Sequence, residues 1–235
     1  MASFSPQRLM VIHAHPDDES LFTGHIIATA LASGAEVKLV TLTRGERGSS
    51  QNPLLRTISR NPNEMAAHRS NALRSALQAF PGLEHSFFGT RSYLETDPDS
   101  VGLGRIFSPD PHYNMTLVGG GKRIVADELV KVLKNFRPDS VVTLSSKNLN
   151  PDHKMAFKAT RLAIKSLSAS KPPKHFVVGE PGTQSAIKVG NDDSAKAKRK
   201  AISAYGDFVK LTPDTYDYGT GELKFSEPET LRLVG

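Results

Sequence analysis

The sequence predicts an α/β protein: a single domain over residues 1–235, with a mostly parallel sheet and helices on both faces in three layers. Two observations carry this. Short apolar runs alternate with segments of helical period, in the order β-α-β-α-β-loop-α-β-α-β-α, which favours parallel strands joined by crossover helices. The 235 residues are 38% hydrophobic, enough for one sizeable core, and no internal repeat or linker divides them.

The elements follow in order. Residues 8–14 form a first strand around Leu9-Met10-Val11-Ile12. A helix over 20–33 comes next, with Ser20 as its expected cap and Gly34 at its stop. Val37 to Leu42 is a second strand, and a Gly/Ser/Asn/Pro-rich loop runs from Arg44 to Asn63. Glu64 to Ala79 places Met65, Ala72, Leu73, Ala76 and Leu77 at helical spacing. His85 to Phe88 is a short third strand. Residues 90–120 have weak periodicity, and an irregular stretch of that length is expected to be a binding loop or lid. A helix over 121–136, a strand over 140–145, a helix over 153–168, a strand over 175–179 and a helix over 192–205 complete the alternation. The polar tail, Leu211 to Gly235, is expected to be a surface extension or a small hairpin.

Composition removes several classes of function. There is no cysteine, which excludes disulfides and thiolate metal ligands. No apolar run approaches the roughly 18–20 residues that span a bilayer, and no signal-peptide apolar core precedes the first strand. A cytoplasmic location is the simplest expectation, and a homo-oligomer is compatible with the sequence. The net charge of +6 is spread along the chain. Its tightest cluster, Lys196 to Lys200, reads as the solvated face of a late helix. Trp is absent and no basic-aromatic pattern occurs, so no nucleic-acid partner is expected. An anionic small molecule can still profit from the positive field. Gly119-Gly120-Gly121-Lys122 lacks both the leading glycine and the Ser/Thr of a phosphate loop.

The chemistry lies in two clusters, each between a strand and a helix. The first is His13-Ala14-His15-Pro16-Asp17-Asp18-Glu19 and the second is Asn150-Pro151-Asp152-His153. In an open parallel sheet such loops meet at the carboxyl edge. A catalytic zinc takes three protein donors and leaves a further position for water. His15, Asp18 and His153 can supply that set, and Asp152 is expected to support it from behind. Asp17 then remains beside the water as a general acid/base. His13 is expected to be structural.

Ala14 to Glu19 also carry a resemblance. They match, at every position, the Ala-His-Pro-Asp-Asp-Glu motif of the PIG-L/LmbE family of zinc-dependent N-deacetylases. The resemblance covers roughly residues 8–170 and implies a Rossmann-like fold. It implies Zn2+ held by His15, Asp18 and His153, with Asp17 as base. It further implies an amino-sugar-like substrate of the N-acetylglucosaminyl type, with a thiol-conjugate amidase as the alternative on the same fold. Thr43 to Gly48 resembles the family's Gly-Glu-x-Gly loop, and Arg69 stands where the family has a substrate-contacting arginine. The chain departs from the pattern at Asn150, where a histidine that helps polarise the substrate carbonyl is usual. An amide at Asn150 can donate a hydrogen bond to that oxygen but cannot carry charge. Ser92 replaces an aspartate and Ala72 a glutamate. These departures leave open a metal-retaining binding protein with little catalysis, against which the retained Asp17 speaks.

Overall fold

The computed structural model describes residues 4–46, 48, 55–88, 117, 121–147, 150–168, 171–179, 186–219 and 221–234. Strand β1 (Arg8–His13) leads to helix α1 (Asp18–Ala32) and strand β2 (Glu36–Thr41). A single helical turn, α2 (Leu55–Ile58), precedes α3 (Pro62–Leu77) and β3 (Glu84–Phe87). Then come α4 (Lys122–Phe136), β4 (Ser140–Leu144), α5 (Pro151–Lys165), β5 (Lys174–Val178) and β6 (Ile187–Val189). Helix α6 (Asp192–Ser203) precedes β7 (Lys210–Leu211), β8 (Thr215–Asp217), β9 (Leu223–Lys224) and β10 (Glu229–Leu233). The irregular stretch 90–120, the Gly89 to Ser92 segment and Gly119-Gly120 lie outside the described residues, Leu117 excepted. No helix among the described residues is long and apolar enough to cross a membrane.

The parallel strands run in the order β3-β2-β1-β4-β5. Alternate residues of each strand point to opposite faces, and both faces are covered. Leu9 and Val11 join one core with residues of α1, α3 and α6, whereas Met10 and Ile12 join a second core with α4 and α5. That double burial explains why the strands read as unbroken apolar runs. Helix α1 stops where the sequence places a stop. Gly34 adopts φ +81°, its N–H bonds to Leu31 O at 2.9 Å and Ala35 N–H to Ala30 O at 3.1 Å, a Schellman arrangement. The start is different: α1 begins at Asp18, not after Ser20, and the Ser20 hydroxyl is bonded to Glu19 instead.

The tail corrects the sequence reading. Residues 211–235 are more than a surface extension, because β10 enters the main sheet between β5 and β6, antiparallel to both. Its Leu231 faces Val178, and Glu229 turns inward to a buried ion pair with Lys198 of α6 at 2.7 Å. The other Glu229 oxygen accepts the Ile26 N–H of α1 at 3.0 Å. Gly24 lets these helices touch, since a Cβ there would stand 2.9 Å from Lys198 Cγ. Strands β7, β8 and β9 form a small antiparallel sheet, and Tyr216 of β8 and Phe225 just after β9 are buried in the same core.

Candidate metal centre

Strands β1 and β4 are neighbours, yet the chain leaves β1 towards β2 on the other side. Their carboxyl ends therefore frame a crevice at the topological switch point. The two clusters emerge there, one running into the first turn of α1 and the other forming the N-terminus of α5. Ala14 is fixed by two bonds from the end of β2: Thr43 N–H at 2.9 Å and the Thr43 hydroxyl at 2.8 Å both donate to its carbonyl.

His15, Asp18 and His153 converge, with one donor atom of each lying within 4.8 Å of the others. His15 Nδ1 is 3.2 Å from His153 Nε2 and 3.7 Å from Asp18 Oδ2, while His153 Nε2 is 3.1 Å from Asp18 Oδ1. Donors about 2.0–2.1 Å from one tetrahedral ion stand about 3.3 Å apart, so the spacing fits zinc. The tautomer also fits. His15 Nε2 lies 3.1 Å from Asp152 Oδ2. A carboxylate only accepts, so Nε2 carries the hydrogen and Nδ1 keeps its lone pair towards the other donors. Asp152 thus orients the His15 ring. Burial alone would push the Asp18 carboxyl up, but His153 and His15 outweigh it and hold it well below the usual range. The converse holds for His153: burial lowers it, and Asp18 more than restores it, leaving it raised. Each of the two groups thus favours the charged form of the other.

Asp17 stands outside that donor set. It precedes α1 with φ 103°, a conformation rare for a residue with a side chain. Its Oδ2 accepts from Arg69 Nη2 at 2.6 Å, and the same nitrogen donates to the Pro16 carbonyl. Burial raises the Asp17 carboxyl, with Arg69 opposing. Arg69 itself is buried, its guanidinium 5.0 Å from the Phe208 ring centre. Gly45 and Gly48 make room for it, since a Cβ at either would come within 2.8 Å of the arginine. The resemblance assigns Arg69 to substrate; here it grips the Asp17 carboxylate. Its position in α3 was readable, but this partner was not.

Asn150 sits at the exposed N-cap of α5, and its Oδ1 accepts the Asp152 N–H at 2.8 Å. The signal for that job was present in Asn150-Pro151, a capping residue followed by proline at the first helical position. His13 is structural as expected. Its Nε2 meets the Thr23 hydroxyl at 2.8 Å, and burial lowers it to about 4. Glu19 has a role the sequence did not disclose. It is fully buried below Asp17, and burial raises it to about 7.

The family model described as PIG-L, GlcNAc-PI de-N-acetylase, matches residues 10–164. The chain belongs to this family. A 1D-myo-inositol 2-acetamido-2-deoxy-alpha-D-glucopyranoside deacetylase from Actinosynnema mirum is 32% identical over 191 residues, 80% of this chain and 65% of that protein. The chain thus spans just under two thirds of that relative's length. Among solved structures, a zinc-inhibited form of teicoplanin deacetylase superposes with a TM-score of 0.62 at 18% identity, covering 97% of this chain and 98% of that one. A second, the 4-carboxy-2-hydroxymuconate hydratase GalB from Pseudomonas putida KT2440, gives 0.61 at 17% identity, covering 97% and 96%. The PIG-L fold is thus shared with a hydratase, and the chemistry must be argued from the site.

Proposed function

We propose that this chain is a zinc-dependent N-deacetylase that hydrolyses the acyl amide of an amino-sugar-like substrate of the N-acetylglucosaminyl type, acting in the cytoplasm. One observation carries the reading: three donors converge on a point while a separate carboxylate, Asp17, is held beside them without joining the set. A site that only stored metal would have no use for that carboxylate. His15, Asp18 and His153 would hold the ion, with Asp152 orienting His15. When bound, zinc supplies Lewis acidity, bringing the pKa of water to about 7 and polarising the amide carbonyl.

The chain's own residues do the rest. Asp17 takes the proton from the attacking water and returns one to the departing amine nitrogen. Its raised proton affinity suits both transfers, and Arg69 keeps the carboxylate pointed during them. Asn150 lies one helical turn before His153 and is proposed to donate its amide N–H to the substrate carbonyl while its oxygen caps α5. The names of the relatives support the amide bond and the amino-sugar class, the Actinosynnema mirum protein being named for a glucosaminide deacetylase.

The test is release of free amine from zinc-loaded protein, across N-acetyl amino sugars and thiol-conjugate amides. Turnover of N-acetylglucosaminides is expected. Preference for the thiol conjugates would make the chain an amidase. One zinc per chain with no amine from any substrate would make it a binding protein.

A further inference from the structure

Asp17 is one of two non-glycine residues with positive φ among the described residues. Such a conformation persists only where the surroundings enforce it. Two contacts do so. Arg69 holds the carboxylate and the preceding carbonyl. On the other side, the Asp17 N–H donates to Glu19 Oε2 at 3.0 Å. Glu19 is itself fixed, because its Oε1 accepts from the Ser20 hydroxyl at 2.5 Å and from the Tyr205 hydroxyl at 2.9 Å.

Tyr205 is fully buried and lies 186 positions from Glu19, in the turn after α6. Phe208, whose ring carries the Arg69 guanidinium, belongs to the same turn. Its N–H donates to the Tyr205 carbonyl at 2.8 Å, and Val209 N–H does so at 3.0 Å. One hydrogen-bonded turn therefore backs both of the groups that hold Asp17. It lies beyond residues 10–164, the stretch the family model matches.

We propose that the turn Ala204 to Val209 is a positioning element for the general base. Tyr205 acts through Glu19 on the Asp17 backbone, and Phe208 acts through Arg69 on its carboxylate. The inference rests on Asp17 being the base of the proposed reaction. Its physical ground is that proton transfer needs the base within hydrogen-bond reach, and a displacement of about 1 Å can cost 10²-fold. A buried tyrosine whose hydroxyl meets a carboxylate directly under that base is placed to prevent such a displacement.

The experiment uses the zinc-loaded full chain and Tyr205→Phe, which removes one hydroxyl and keeps the ring. Without substrate, hydrogen exchange at the Asp17 amide is followed by NMR and is expected to quicken about tenfold, at unchanged zinc content. With substrate, kcat is expected to fall about 3–10-fold, the worth of one hydrogen bond, with KM within about twofold of the parent. In an Asp17→Asn background the same change should cost nothing further, since there is no base left to position. Phe208→Leu should repeat the pattern through Arg69, and it serves as well if Tyr205→Phe folds poorly. Parent-like exchange at Asp17 in both variants would overturn the inference, as would an equal loss of kcat in the Asp17→Asn background. Should the parent release no amine, the proposed function falls, and the substrate-free exchange still decides whether the turn holds Asp17.

Discussion

The donor triad and the turn that backs Asp17 meet at the same short segment, residues 15–19, but they are written into the chain differently. His15, Asp18 and His153 come from two strand-to-helix junctions, each with a local signature, because the proposed metal ligation demands particular residue types at particular strand ends. Tyr205 and Phe208 carry no such mark. A buried Tyr or Phe after a helix reads as ordinary core, and only the folded chain shows that one ends on Glu19 and the other under Arg69. Groups that do chemistry are constrained by identity, whereas groups that hold them are constrained by place.

The largest expected effect breaks the triad. His153→Ala should remove stoichiometric zinc and abolish amine release, with circular dichroism close to the parent's, since α5 keeps its cap and the rest of its buried face. Chelating the parent with a zinc-binding agent should reproduce the activity loss, and added zinc should restore it. Full zinc occupancy in the alanine variant would refute the assigned ligand set.

Next in size is the base. Asp17→Asn should retain zinc and lower kcat by about 10²–10⁴-fold, the usual worth of general acid/base catalysis. Loss of zinc along with rate would instead join Asp17 to the triad and erase the distinction between donor and base.

The fold repeats the same contrast between local and distant information. The parallel strands and most helices were legible because apolar runs and helical period are local. Gly34 marked its own turn in the same way. Strand β10 was not legible. Its five residues show only a brief alternation, with Glu229 and Leu231 inward, and a glutamate at an inward position reads as surface. It is a strand because Lys198, 31 positions earlier, neutralises that glutamate in the core, and because β5 and β6 offer it edges on both sides.

That dependence can be measured. Lys198 and Glu229 are almost wholly buried, so Glu229→Ala leaves an uncompensated ammonium and an unanswered Ile26 N–H. A loss of about 3–5 kcal/mol in denaturant unfolding is expected. Zinc content of the folded fraction should not change, because the pair touches none of the donors. The double change Lys198→Met with Glu229→Leu should recover much of the loss, as paired apolar replacements often do. Equal destabilisation in the single and double variants would mean that the pair matters only for packing.

The smallest expected effect separates two jobs at one residue. Asn150 caps α5 through its oxygen, and α5 carries His153, so the cap bears on the triad as well as on the proposed carbonyl contact. Asn150→Ala should cost about 1 kcal/mol of stability as a lost cap, and should lower kcat more than it raises KM if the amide meets the developing oxyanion. Asn150→Ser separates the roles, because its hydroxyl can cap the helix but is too short to replace the amide at the substrate. Stability should return with serine while kcat stays low. If serine restored both, Asn150 would be a helix cap alone, and the oxyanion would depend on zinc or on another donor. A histidine at this position would behave differently again: it would add a titration near pH 6–7 to the rate profile that the amide of Asn150 cannot provide.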